Sequence, residues 1–187
     1  MNPSPPPPLP APRTPDGAYR VCLVCLGNIC RSPMAEYVLR DELERAGLAG
    51  AVRVDSAGTG DWHLGEPMHG PARAELASRG YDGSAHRARQ IQPDWLAGYD
   101  LLVAMDGRNL ASLRRMDPRA GAEGRIRLLR SFDPALRPDD PYDGDVPDPY
   151  GAAQEYYALA LDLVQAGARG LAAQLAELLG APAPHRT

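Results

Sequence analysis

The sequence predicts an α/β fold, an open sheet of four parallel strands with helices on both faces. Three observations carry this reading. Four short stretches, Tyr19–Cys25, Ala51–Asp55, Tyr99–Met105 and Arg125–Leu129, have the length and composition of strands and are separated by stretches with helical spacing. Strands that alternate with helices pair in parallel through right-handed crossovers. The first run is apolar at nearly every position, the pattern of a central strand covered on both faces. With 187 residues and a proline-rich head, the expectation is one domain of about 160 residues, enough to bury a sizeable core.

Met1–Gly17 is dominated by proline, which cannot donate backbone hydrogen bonds, so it reads as a disordered, polyproline-like tail outside the fold. A proline-rich recognition segment is the alternative. The fold is expected over 18–180, with a flexible tail over 181–187. After the first strand, Pro33–Ala46 places Met34, Val38, Leu39 and Leu43 at helical spacing, and Gly47 is a C-terminal stop. Ala51–Asp55 is the second strand and Ser56–Gly70 a loop rich in turn residues. Helices come next at Pro71–Arg79 and Pro93–Gly98, then the strand Tyr99–Met105, a helix at Arg108–Met116 and the strand Arg125–Leu129. Pro138–Pro149 is loop, and Tyr150–Leu179 is a long amphipathic helix with Gly167 and Gly170 as points where it can break.

Between the first strand and the first helix lies Cys25–Ser32, read Cys-Leu-Gly-Asn-Ile-Cys-Arg-Ser. A short loop from a strand end to a helix start can turn its backbone N–H groups toward one point, where a tetrahedral oxyanion fits, so it reads as a phosphate-binding loop. Cys25 faces the positive end of the helix and lies near Arg31, and both favour thiolate, the nucleophilic form. Arg31 offers a planar fork for two phosphate oxygens at once, a shape lysine lacks. Gly27 and Asn28 tolerate left-handed backbone. Ser32 can cap the helix and hydrogen-bond the sulfur, and Pro33 suits the first helical turn. The competing reading is a buried structural cysteine before an ordinary capped helix. The strand before, Gly-Asn inside and Ser-Pro after favour chemistry, at the carboxyl ends of the strands.

Composition excludes other classes. A net charge of −4 argues against a general nucleic-acid surface. No apolar run approaches the roughly 18 residues of a membrane span, and the head lacks the order of a signal peptide, so the expectation is a cytoplasmic protein away from membranes. The three cysteines all fall between positions 22 and 30, which is neither a disulfide framework nor a distributed zinc site, and no metal or other cofactor is expected. Cys22 lies within the strand, three rises or roughly 10 Å from Cys25, too far for a disulfide. It reads as core.

Val24–Glu36 resembles the signature of the low-molecular-weight protein tyrosine phosphatases. Further matches occur in family order: Val54–Thr59, Asp61–His63, His86 with Ala88–Gln90, Met105–Asp106, Ser131–Pro134 and Asp148–Gly151, so that the resemblance runs from about Tyr19 to about Leu179. It implies Cys25 as nucleophile, Arg31 as phosphate ligand and Asp148 as general acid and base. It also implies substrate contacts from Leu26, Gly27, Asn28, Ile29, Cys30 and Ser32, with Trp62 and Tyr150 as aromatic walls. An exposed tryptophan beside such a loop suits an aromatic substrate; ordinary loop anchoring by Trp62 and His63 is the other reading. Asn28, Ser32, Ser56 and His86 would form the network that shapes the loop. Cys30, in a C-x4-C spacing shared with redox-switched members, could capture oxidised Cys25 as a disulfide. Asp106 also matches, with no role assigned.

The chain departs from the family in having a single tyrosine, Tyr150, before Gly151, where two are usual. It also carries a decoy, since Asp-Pro-Tyr occurs at Asp140–Tyr142 as well as at Asp148–Tyr150. Asp148 is preferred because Gly151 and the last helix come directly after it.

The activity implied is hydrolysis of protein phosphotyrosine through a phosphocysteine intermediate, by a monomer that needs no metal. The partner is a phosphotyrosine protein. A phosphoarginine phosphatase of the same fold is the nearest rival, but related members with that substrate carry threonine where this chain has Ile29. An arsenate reductase would need further cysteines, and none occurs after Cys30. A phosphocysteine carrier would need no acid for water attack, and the Asp-Pro-Tyr segment counts against it.

Overall fold

The computed structural model describes residues 7–15 and 17–180; the tail expected over 181–187 lies outside the described residues. Four strands form one parallel sheet: β1 (Tyr19–Cys25), β2 (Val52–Gly58), β3 (Leu101–Ala104) and β4 (Ile126–Leu128), in the order β2-β1-β3-β4. The expected four-stranded parallel sheet is present. β1 is central and buried at every position but Arg20, as its unbroken apolar run requires.

Helices cover both faces. On one lie α1 (Arg31–Arg45), α2 (Gly70–Ser78) and α5 (Gln154–Leu179), packed on Tyr19, Val21, Leu23 and Cys25. On the other lie the 3-10 turn Pro93–Gly98, α3 (Gly107–Met116) and the short α4 (Pro118–Ala122), packed on Cys22 and Val24. Cys22 and Cys25 thus point to opposite faces, as residues three apart in a strand must, and all three cysteines are free thiols. From β1 the chain crosses to β2 on one side and later to β3 on the other, so the strand order reverses at β1. The crevice at its carboxyl end is the natural place for a ligand in such a sheet.

Three expectations need correction. The loop expected from Ser56 begins later, because Ser56, Ala57 and Gly58 continue β2 against Leu23, Val24 and Cys25. The last helix begins at Gln154 rather than Tyr150 and does not break. Its glycines are points of close approach: a Cβ on Gly170 would fall 1.8 Å from the Phe132 carbonyl oxygen, and one on Gly167 2.8 Å from that of Leu129. The third concerns the proline-rich head, part of which packs on the domain. Leu9 is only 8% exposed and joins the core. Arg127 donates to the carbonyls of Pro7 (2.7 Å) and Pro8 (2.6 Å), the Tyr19 hydroxyl to Pro10 (3.1 Å), and Arg125 to Ala11 (3.2 Å). Proline lacks N–H groups but keeps its carbonyl, so residues 7–11 are held as acceptors by side chains that carry donors, and Arg13 adds donors of its own, from its N–H to Asp100 (2.6 Å) and from Nε to the Tyr99 carbonyl (3.0 Å).

Candidate active site

Cys25 ends β1 and the next loop folds back over its sulfur. The Asn28 N–H points at Cys25 Sγ from 3.3 Å, and Ser32 Oγ lies 3.0 Å away. Ser32 does not cap α1 as expected. The N-cap position is Cys30, without a side-chain cap, and Ser32 sits inside the first turn with its hydroxyl turned to the sulfur. That hydroxyl has one proton and two acceptors in reach, Cys25 Sγ and the Ala57 carbonyl at 3.3 Å.

Asn28 is one of two non-glycine residues with left-handed backbone among the described residues, at φ 55°. Its side chain explains how that is held. Nδ2 donates to both Ser32 Oγ and Ser56 Oγ at 2.9 Å, Oδ1 accepts from the Arg89 N–H at 2.9 Å, and its carbonyl lies 2.6 Å from His86 Nε2. Since a carbonyl can only accept, Nε2 carries the proton. Burial pushes the His86 imidazole below its ordinary value, partly offset by this bond, which keeps it neutral. The Ser56 hydroxyl in turn donates a hydrogen bond to the buried Glu36 carboxylate at 2.5 Å. The four loop-support residues expected from the sequence, Asn28, Ser32, Ser56 and His86, therefore lie together, and Glu36 and Arg89 complete them.

Arg31 is 2% exposed. Nη1 donates to Asp106 (2.6 Å) and the Val146 carbonyl (3.1 Å), and Nη2 to Asp148 (2.9 Å). Nε is buried without a partner among the described residues, an open donor for an oxyanion. Burial works against the charge of Arg31, but Cys25, Asp148 and Asp106 outweigh it and its pKa is raised. Asp106, left without a role by the sequence, is the anchor: its other oxygen caps α3 by accepting from the Asn109 N–H at 2.7 Å. Only the tertiary fold brings it to Arg31, 75 residues away.

A pocket of about 330 Å³ opens above the sulfur, lined by Cys25, Leu26, Gly27, Ile29, Cys30, Arg31, Trp62, His63, Asp148 and Tyr150. Nine of these ten were singled out from the sequence. His63 was noted there beside Trp62 without a place in the site; its ring stands 5.9 Å from that of Tyr150 and its Nδ1 2.8 Å from Glu66. Burial, then the proximity of Cys25 and Asp148, pushes the Cys30 thiol well up. Among the described residues no cluster of three His, Cys, Asp or Glu side chains could hold a metal ion.

The two Asp-Pro-Tyr copies have different surroundings. Asp140 is not among the residues that line the pocket and receives a bidentate pair from Arg130 (2.7 and 2.8 Å) with the N–H groups of Tyr142 and Gly144. Arg130 is the first cause that draws its pKa down to about 2. Asp148 faces the sulfur across the pocket, its side chain 43% exposed.

The family model described as low molecular weight phosphotyrosine protein phosphatase matches residues 20–179. The chain belongs to this family. The low molecular weight protein-tyrosine-phosphatase of Streptomyces coelicolor is 48% identical over 159 residues, 85% of this chain and 94% of the relative. Among solved structures, YfkJ from Bacillus subtilis superposes with a TM-score of 0.77 at 35% identity, covering 88% of this chain and 98% of that one. A protein tyrosine phosphatase from Entamoeba histolytica with Hepes in its active site gives 0.78 at 28% identity, covering 86% and 98%. The matched residues run from the first strand to the end of the last helix.

Proposed function

We infer that the protein hydrolyses phosphotyrosine on proteins through a phosphocysteine intermediate. The observation that carries this reading is the cradle itself: Cys25 Sγ beneath an inward N–H and the Ser32 hydroxyl, in a pocket also lined by Arg31, whose buried Nε has no partner among the described residues. The sulfur attacks phosphorus in line, and the P–O bond to the phenol breaks as the S–P bond forms. Asp148, protonated, gives its proton to the departing phenol oxygen. Arg31 and the loop amides hold the three equatorial oxygens, in which charge is spread during transfer. Water then attacks phosphorus, Asp148 takes its proton, and the S–P bond breaks to release phosphate and restore the thiolate.

Leu26, Trp62 and Tyr150, all exposed at the pocket rim, suit the ring of an aryl phosphate. Ile29 in the loop favours phosphotyrosine over phosphoarginine. One chain carries every group the reaction uses, so a monomer suffices. No described helix is long and apolar enough to cross a membrane. A reaction that depends on a reduced cysteine suits the cytoplasm, where thiols are kept reduced.

Cys25→Ser should abolish turnover of a phosphotyrosine peptide while fold and phosphate binding persist. Acid quench of Asp148→Asn during turnover should trap phosphate on Cys25. Turnover by the Cys25→Ser variant would refute the covalent route, and faster hydrolysis of phosphoarginine than of phosphotyrosine would refute the substrate class.

A further inference from the structure

We propose that a second hollow beside the reaction pocket binds an acidic side chain of the substrate, on a residue flanking the phosphotyrosine. The inference rests on the phosphotyrosine reading above. The hollow has a volume of about 290 Å³, room for one side chain, and is lined by Leu26, Trp62 and Met116, by Arg115 and Ser112, and by the Thr59–Gly60 segment. Leu26 and Trp62 also line the reaction pocket. They form a partition, so a chain whose phosphotyrosine fills one side presents a neighbouring residue to the other.

The partition is built into the catalytic loop rather than resting on it. The Thr59 N–H donates to the Cys25 carbonyl and the Gly60 N–H to that of Leu26, both at 2.9 Å. The Trp62 ring lies so close over Gly60 that a Cβ there would fall 1.8 Å from it. Glycine at 60 therefore makes room for the indole, which is 68% exposed and lines both hollows.

Chemistry selects the occupant. Two walls are apolar, the only charged lining residue is Arg115, and no carboxylate lines the hollow. Arg115 donates from Nη2 to Ser112 Oγ at 2.9 Å, its one side-chain hydrogen bond among the described residues, which leaves most of its donors open. It stands in the last turn of α3, where helix carbonyls contribute about half a negative charge, too little to cancel a full guanidinium. Glutamate fits best, its methylene stem against Leu26 and Met116 and its carboxylate on the arginine fork.

The test uses the full chain and peptides with phosphotyrosine flanked, at one or two positions on either side, by Glu, Ala or Lys. Wild type should favour Glu over Lys in kcat/KM by about three- to tenfold on one side of the phosphotyrosine, as expected of an exposed charge pair that is exchanged for a repulsion. Arg115→Glu should reverse the order and Arg115→Ala should shrink it to within about twofold. Neither should change turnover of para-nitrophenyl phosphate, which reaches only the first pocket. Equal rates on Glu and Lys peptides in wild type, or a Glu preference that survives Arg115→Glu, would overturn the subsite. Loss of turnover on the Ala peptide with para-nitrophenyl phosphate still hydrolysed would instead overturn the phosphotyrosine reading and the subsite with it.

Discussion

The two Asp-Pro-Tyr aspartates differ by eight positions and should fail in opposite ways when each is changed to asparagine. Asp148 touches Arg31 Nη2 and its own Tyr150 N–H, and its side chain is 43% exposed. Arg31 is buried but keeps Asp106 as its charge partner at 2.6 Å, and Asp148 is the half-exposed member, so Asp148→Asn should cost no more than about 1 kcal/mol and fold normally. Its loss should appear in turnover, as a fall of roughly 10²–10⁴-fold on phosphotyrosine and far less on an activated aryl phosphate, whose leaving group needs no proton. Asp140 is 12% exposed and its partner Arg130 is 4% exposed. Removing its charge leaves a buried guanidinium unpaired, at a cost of about 3 kcal/mol. For a domain of this size that lowers the melting temperature by roughly 6–12 °C. Because Arg130 draws the Asp140 pKa down to about 2, the stability it contributes is full above its ordinary value near about 4. It is lost as pH falls through the lower one. The gap between wild type and Asp140→Asn should narrow over that window. Thermal melts across pH, read beside kcat on the two substrates, separate the cases. A destabilised Asp148→Asn with normal turnover, beside a stable and inactive Asp140→Asn, would show that the acid has been assigned to the wrong loop.

Two further expectations concern residues outside the transfer step. Leu9→Ala should cost about 2 kcal/mol, the low end for a buried leucine because its pocket lies at the domain edge, and should leave kcat unchanged; urea melts showing no loss would mean residues 7–13 contribute nothing to the fold. After mild peroxide, wild type should recover with added thiol whereas Cys30→Ser should stay inactive, since only the former can store oxidised Cys25 as a disulfide; equal recovery would remove the protective role.

Local features were the legible ones in the sequence. The continuous apolar run of β1, the loop, and the helical spacing of α1 each depend on neighbours within a few residues, and these fell close to where they were expected. Asp148 was preferred to Asp140 for its chain neighbours, Gly151 and then the last helix, and it is Asp148 that lines the pocket. Contacts between distant segments carried no such signal. Asp106 reaches Arg31 across 75 residues and Ser56 reaches Glu36 across 20. Gly167 and Gly170 look like helix breakers until the Leu129–Phe132 turn is packed against them. The proline-rich head misled for a chemical reason: composition reports missing donors, whereas Arg125 and Arg127 use the carbonyls that remain.

The site divides its work between a rigid part and an exposed part, and the hydrogen bonds explain why. A loop whose amides converge on one point has lost the conformational freedom that a flexible loop keeps, and left-handed Asn28 adds a little strain. Bonds from α1, from β2 and from the 86–89 segment all end on Asn28, so no single one can relax without breaking another. The cradle is therefore formed before substrate arrives, and its dipoles need not reorganise as charge develops on the transferring phosphoryl group. Arg31 obeys the same logic on one side only. Its Nη1 edge is fixed by Asp106, itself tied to the start of α3, and by the Val146 carbonyl, whereas Nη2 meets exposed Asp148 and Nε meets nothing. Arg31 lines the pocket beside Asp148, and its Nε and Nη2 are the donors left to exchange. A phosphate dianion, with roughly twice the charge of a carboxylate, outcompetes Asp148 there, and the displaced acid is left at the mouth where the phenol oxygen must depart.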